Sequence, residues 1–268
     1  MGQPSAQVKL ASKPDKSMEQ LLSQLSDIPT LPVVANEVSA LLNDPNSSSA
    51  DIAKVLRKDQ VLTAKILKLV NSPYYGVPNQ VTDVQRALTY LGFNTIAQLV
   101  LSVSVFSLFK GDGVESFSLV QFWRHSLAVA VCAEVIAKQQ RYKRREEAFT
   151  CGLLHDIGKI VLLQINPAIL SQIIELASKR KISFDEAERE LGLVHHSKIG
   201  GIIAEKWGLP EIVRLVIEQH HASFDDLNEV FKANDSALEQ RQLVYIVQLA
   251  NSLVVQMGLG HSGDYSNG

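Results

Sequence analysis

The chain has 268 residues, of which 46% are hydrophobic and 20% charged, and its formal net charge is −2. This is a globular composition, and the near balance of charge excludes a broad basic field for nucleic acid. Two cysteines in apolar surroundings, Cys132 and Cys151, make no disulfide framework and suit a reducing compartment.

Residues 1–17, "MGQPSAQVKLASKPDKS", carry no secretory pattern and read as a disordered tail. "MEQLLSQLSDI" (18–28) has helical spacing, and the prolines of "IPTLP" end it. Helices follow in "VVANEVSALLND", in "SSSADIAKVLRKD" with serines able to cap, and in "VLTAKILKLVN". "NSPYYG" (71–76) reads as a capped turn. "VQRALTYLG" ends at Gly92, a C-cap, and "NTIAQLVLSVSVFSLFK" runs on to "GDG" (111–113). The apolar window 93–109 is short for a membrane span and dotted with Asn, Thr, Gln and Ser, so it reads as a buried helix. "GDG" is the candidate boundary. Beyond it come further helical segments, and no alternating strand run is evident. "KQQRYKRR" (138–145) reads as an exposed helix end or loop. The expectation is an all-α, two-lobed protein: an N-terminal helical lobe over 18–110, a second helical lobe over 111–256 and a flexible tail over 257–268. A cytoplasmic protein with no membrane or nucleic-acid partner is expected.

All seven histidines lie beyond the boundary. Setting aside His261 in the tail, they fall on four predicted helices. His125 shares a stripe with Val129, Cys132 and Ile136; His155 follows Ala148 and Cys151; His196 aligns with Ile199, Gly200, Ile203 and Trp207; His220 aligns with Val213, Val216 and Ile217. Each stripe faces the core. One inward histidine is commonly a satisfied core residue, but four helices doing this in one lobe suggest a shared metal as common partner. Histidine with a carboxylate suits Zn, Fe, Ni or Mn. His195 has the poorer stripe and reads as exposed or supporting. Trp123 and Trp207 flank these helices and read as core.

"GLLHDIGKI" (152–160) places His155 beside Asp156 in apolar sequence, a costly pair unless something compensates it. Gly158 lets another group approach closely. Lys159, three residues from Asp156 and four from His155, shares their face. It is a candidate phosphate contact, or else a plain ion-pair partner of Asp156.

His125, "HD" within "LLHDIGK", "HHSKIG", "WGLP" and "IEQHH", with "IPTLPVVANEVSALLNDPNSSSADIAKVLRKDQVLTAKILKLVNSPYYG" and "ALTYLG" in the first lobe, resemble the HDOD domain, the HD-related output domain of bacteria. The resemblance spans residues 18–256. It implies an all-helical fold and a regulatory role, within a superfamily of metal-dependent phosphohydrolases. It also implies a metal site of His125, His155, Asp156, His196, His220 and His221, with Asn251 where the hydrolases carry a final Asp. Lys159 and Asp156 would be the catalytic candidates. The Gly-Tyr-Pro motif of the cyclic-dinucleotide phosphodiesterases has no counterpart in "HHASFDDLNEVF". Three readings follow: a signal-transduction module with a protein partner and a non-catalytic or weakly catalytic site, a phosphohydrolase of nucleotides or other phosphate esters, or an all-α protein whose histidines are structural. The first two would employ a divalent metal and a phosphate-containing ligand.

Overall fold

The computed structural model describes Leu25 and residues 28–109, 111, 113–231 and 235–264. The expected N-terminal tail and most of the helix expected over 18–28 lie outside the described residues.

Helix α1 (Val33–Asn43) starts directly after Pro32 and buries Val34, Ala35 and Val38. In α2 (Ser49–Leu56) the Ser48 N–H donates to the Asp51 carboxylate at 3.1 Å, the capping arrangement expected of the serine run. Asp59 caps α3 (Gln60–Val70) by accepting from the Leu62 N–H. Asn71 then clamps the following turn, its amide donating to the Leu67 and Val81 carbonyls and its oxygen accepting from the Val81 N–H. The turn reading of "NSPYYG" therefore holds. Helix α4 (Val84–Leu108) is broken at Gly92, whose φ of 80° and ψ of 171° are non-helical, so the expected stop falls where the sequence places it.

A minimal antiparallel hairpin follows, β1 (Gly113–Val114) with β2 (Phe117–Ser118). It departs from the strand-free expectation. Two residues per strand are too few to register as alternation. The remaining helices are α5 (Leu119–Gln139), α6 (Arg145–Leu154), α7 (Ile157–Ile165), α8 (Pro167–Arg180), α9 (Phe184–Glu190), α10 (His196–Lys206), α11 (Glu211–Gln219), α12 (Phe224–Val230) and α13 (Asp235–Gln256). The protein is all-α.

One apolar cluster runs through helices on both sides of the "GDG" turn. Polar ties reinforce it: the Trp207 indole N–H donates to the Pro29 carbonyl at 2.9 Å, Ser39 donates to the Gly208 carbonyl, and the Tyr74 hydroxyl donates to Glu134 on α5. Trp207 and Trp123 are both core, as expected. Helices α4, α5 and the α6–α7 stretch are long and apolar enough to cross a membrane by length and composition. They are bundle helices, and 83% of the α6–α7 window is buried within the protein.

Candidate metal centre

Helix α6 ends at His155, α7 begins at Ile157, and Asp156 sits in the joint with φ −97° and ψ 12°. This break lets two adjacent residues face the same point, which a continuous helix would set about 100° apart. His155 and Asp156 are completely enclosed. Gly158 is held by sterics. A Cβ there would lie 1.9 Å from the His196 carbonyl oxygen and 2.9 Å from the Gly200 nitrogen. Helices α7 and α10 therefore meet backbone to backbone, and His196 is brought to Asp156. Gly152 does the same for α6 against α5, where a Cβ would stand 2.8 Å from the Ala130 Cα.

Around Asp156 the imidazoles converge. Its Oδ1 lies 3.1 Å from His196 Nε2 and 3.4 Å from His220 Nε2, and its Oδ2 lies 3.3 Å from His155 Nε2. His196 Nε2 is 3.3 Å from His220 Nε2 and 3.2 Å from His221 Nε2. Asp156, His196, His220 and His221 each offer a donor atom, all within 4.8 Å of one another, and so do His125, His155 and Asp156. Asp156 belongs to both sets.

The other ring nitrogens are committed. His155 Nδ1 lies 2.8 Å from the Gly152 carbonyl, His220 Nδ1 2.7 Å from the Ile217 carbonyl, and His196 Nδ1 2.8 Å from Glu188 Oε2. A carbonyl or carboxylate oxygen accepts, so each Nδ1 carries the hydrogen. In the neutral tautomer each Nε2 then presents a lone pair. Glu188 is fully buried and also accepts the His196 backbone N–H at 2.8 Å. The Nε2 atoms of His125 and His155 and Asn251 Oδ1 are buried without a hydrogen-bond partner, whereas the buried Asp156 carboxylate has Lys159 Nζ at 2.9 Å from Oδ2 and His196 Nε2 at 3.1 Å from Oδ1. Buried acceptors left unpaired are expensive. Nε2 atoms about 3.3 Å apart match ligands on one tetrahedral ion with ~2.0–2.1 Å bonds. This donor set fits a divalent metal.

Burial and neighbouring charge divide the imidazoles. Burial, with the neighbouring His155, lowers His125 to about 4. Burial lowers His220 to about 4 as well, although Asp156 opposes it. Burial also pulls His221 well below its usual value, assisted by His220 and His196. In His196 burial again pulls down, but Glu188 and Asp156 override it and push the imidazole up to about 9. Burial would raise Asp156, yet Lys159 and His155 hold it well below the ordinary carboxylate range.

Lys159 is fully buried and already engaged. Its ammonium lies 2.9 Å from Asp156 Oδ2 and 2.9 Å from Asp264 Oδ2, reaches Ser262 Oγ at 3.4 Å, and stands over the Phe184 ring. Three N–H donors meet three oxygens. The phosphate contact expected of Lys159 is thus taken up by protein groups, and the ion-pair alternative describes this conformation. The flexible tail expected over 257–268 needs correction as far as residue 264, because that segment packs against α5 and supplies Asp264 and Ser262. Left-handed glycines fold it back, a conformation that the glycine-rich composition concealed. Residues 265–268 lie outside the described residues.

The structure thus brings together His125, His155, Asp156, His196, His220 and His221. Asn251 lies on α13, which packs against α5, α6 and α11, and no hydrogen bond holds its side-chain oxygen. His195 stays partly exposed and pairs with Asp185 at 2.8 Å. A third carboxylate group, Asp185, Glu188 and His195, is self-satisfied, since Asp185 also holds Arg189 and Glu188 holds His196. Sequence reasoning missed Glu188, Asp264 and Ser262. Glu188 had a readable signal, an acidic residue in the apolar stripe of Phe184, Ala187 and Leu191.

An all-helical fold with a buried histidine–aspartate cluster marks a protein of the HD type. The HDOD domain family matches residues 28–223, and the chain belongs to it. It is similar to the crystal structure of an HDOD domain protein of unknown function from Geobacter sulfurreducens, with 28% identity and a TM-score of 0.75 over 92% of this chain and 81% of that one. It is also similar to a structure from Shewanella amazonensis SB2B provisionally named a phosphohydrolase, with 26% identity and a TM-score of 0.70 over 89% of this chain and 81% of that one. A structure from Marinobacter aquaeolei VT8 provisionally named a signal transduction protein shares the fold at 20% identity, with a TM-score of 0.69 over 94% of this chain and 57% of that one. An uncharacterised protein of Treponema pallidum is 26% identical over 215 residues, 80% of this chain. The chain spans about two fifths of that relative's length, 41%.

Proposed function

We propose that the chain is a cytoplasmic regulatory module of bacterial signal transduction built around a divalent-metal centre, one that holds a ligand and relays its presence to a protein partner with little or no turnover. The observation that carries this reading is the convergence of the Nε2 atoms of His155, His196 and His220 on the buried Asp156 carboxylate, at 3.3, 3.1 and 3.4 Å. His155, His196 and His220 would hold the ion through Nε2, with Asp156, His125 and His221 completing the donor sets. Fe, Mn, Ni and Zn all suit such ligands. When bound, the metal would supply Lewis acidity toward an oxyanion such as a phosphate group. Glu188 would orient His196 and keep it electron-rich.

Two features favour binding over turnover. The family resemblance sets neutral Asn251 at the position where hydrolases carry a carboxylate that would help balance a dication, and Lys159 is already satisfied by Asp156 and Asp264. A second reading, hydrolysis of a phosphate ester, is favoured by the membership of Asp156 in both donor sets. It is also favoured by the likeness to the Shewanella protein provisionally named a phosphohydrolase.

The test is the metal content of protein purified without added metal, beside a His196→Ala variant, followed by turnover of bis(p-nitrophenyl) phosphate. The expected result is near-stoichiometric metal that is lost in the variant, with negligible turnover. Absence of metal in the wild type would overturn the metal reading, and brisk turnover abolished in the variant would replace the regulatory reading with the hydrolytic one.

A further inference from the structure

The segment after α13 is built to reach one place. Gly258, Gly260 and Gly263 all have positive φ, at 63°, 79° and 92°. Gly260 lies flat on α5, where a Cβ would come 2.3 Å from the His125 backbone nitrogen and 2.6 Å from the Gln121 carbonyl oxygen. The His261 N–H donates to that same Gln121 carbonyl at 3.1 Å, and the Gly263 N–H donates to His261 Nδ1 at 3.1 Å. These contacts deliver the Asp264 carboxylate beside the metal centre. Oδ2 accepts from Lys159 at 2.9 Å and from the Ser262 hydroxyl at 2.8 Å, and Oδ1 accepts from the Phe184 N–H at 2.9 Å.

We propose that Gly258–Asp264 is a built-in competitor for an anion site formed by the Lys159 ammonium and the Phe184 N–H, and that the ligand it excludes is a phosphate or phosphate ester. This rests on the reading of the neighbouring cluster as a metal centre with a phosphate-class ligand. A carboxylate bridging a buried ammonium and a backbone N–H presents two oxygens to two donors, as a phosphate group would. Phosphate carries more charge than the single negative charge of Asp264, and a nearby dication would add to the difference. Polar contacts and one ion pair pin the segment at its tip, so an incoming anion replaces like with like. Because Gly260 rests on the backbone of His125, displacement of the segment alters the surface of a ligand-bearing helix. That would couple the site to the exterior.

The experiment uses the full chain loaded with manganese, with metal content measured on every sample and inorganic phosphate as the probe. Asp264→Ala should bind phosphate at least about tenfold tighter than the wild type, since a segment closed nine-tenths of the time or more imposes that penalty. In the wild type, hydrogen exchange followed by mass spectrometry should show amides of residues 259–264 losing protection on phosphate addition, while α7 keeps its own. A purely structural strap would not move under phosphate, and this second readout stands even if Asp264→Ala folds poorly. Unchanged phosphate affinity at full metal content, with residues 259–264 still protected, would overturn the competitor and leave the metal centre intact. A wild type that takes up no manganese would overturn both.

Discussion

Lowering the pH from 8 to 6 should weaken metal binding to this protein by about 100-fold, or about 3 kcal/mol. His196 sets this slope. Burial alone would make it a weak base, but Glu188 at 2.8 Å and Asp156 at 3.1 Å raise it to about 9 in the metal-free protein. Its Nε2 must shed a proton before it can bind an ion, so each pH unit below about 9 costs about tenfold in affinity. His125 and His220, held at about 4, are neutral throughout this range and add no further steepness. Isothermal titration with manganese or zinc, in two buffers of different ionisation enthalpy, reads both the affinity and the proton released. Glu188→Gln removes the strongest of the raising influences. It should flatten the pH dependence and lower affinity at pH 8 by roughly tenfold or more, the usual cost of losing a carboxylate behind a ligand histidine. Stoichiometric binding by the wild type with the same Kd at pH 6 and pH 8 would refute the argument.

The metal-free protein should lose stability in mild acid. The folded pKa values of His125 and His220, about 4, lie below the ordinary 6.5, so their contribution is complete above 6.5 and lost as pH falls toward 4, at about 3 kcal/mol for each. Urea midpoints of chelator-treated protein at pH 7 and pH 5 measure this, and equal midpoints count against buried neutral imidazoles. Gly158→Ala should cost about 3 kcal/mol or more and abolish metal uptake, because the added Cβ meets the His196 carbonyl at 1.9 Å. Gly192→Ala, with positive φ but open space around it, should cost only about 1–2 kcal/mol and leave metal content unchanged. If thermal melts rank the two variants the other way, the close approach of α7 and α10 is not what holds that position. Tyr74→Phe, which removes the hydroxyl tie to Glu134, should lower Tm by a few degrees at most, equivalent to about 1 kcal/mol.

The helices and the inward histidines were legible because both follow period 3.6. His125, His196 and His220 sit on apolar stripes that can only face a core, and Gly92 and Asn71 carry turn chemistry in their residue types. His155 and Asp156 were legible as a pair, but their common focus depends on a helix break that apolar flanking sequence does not announce. Gly158 was readable as an approach point, though not its partner, the His196 carbonyl, because a contact across 38 positions leaves no local trace. Glu188 could have been found from its place among Phe184, Ala187 and Leu191. Asp264 could not. It lies in a short glycine-rich stretch whose polar residues suggest solvent, and its burial comes from the groove it enters.

Two of the imidazoles close the helices that carry them. His155 and His220 are the residues at which α6 and α11 end, and each Nδ1–H satisfies a last-turn carbonyl, those of Gly152 and Ile217. Deleting either side chain therefore strips a helix end of its cap and a cluster of a donor in one stroke. An alanine phenotype at 155 or 220 confounds misfolding with loss of chemistry. Asparagine, whose amide can still reach the carbonyl, is the cleaner genetic instrument, and a strain that tolerates asparagine but not alanine at these positions would be reporting on architecture rather than on signalling.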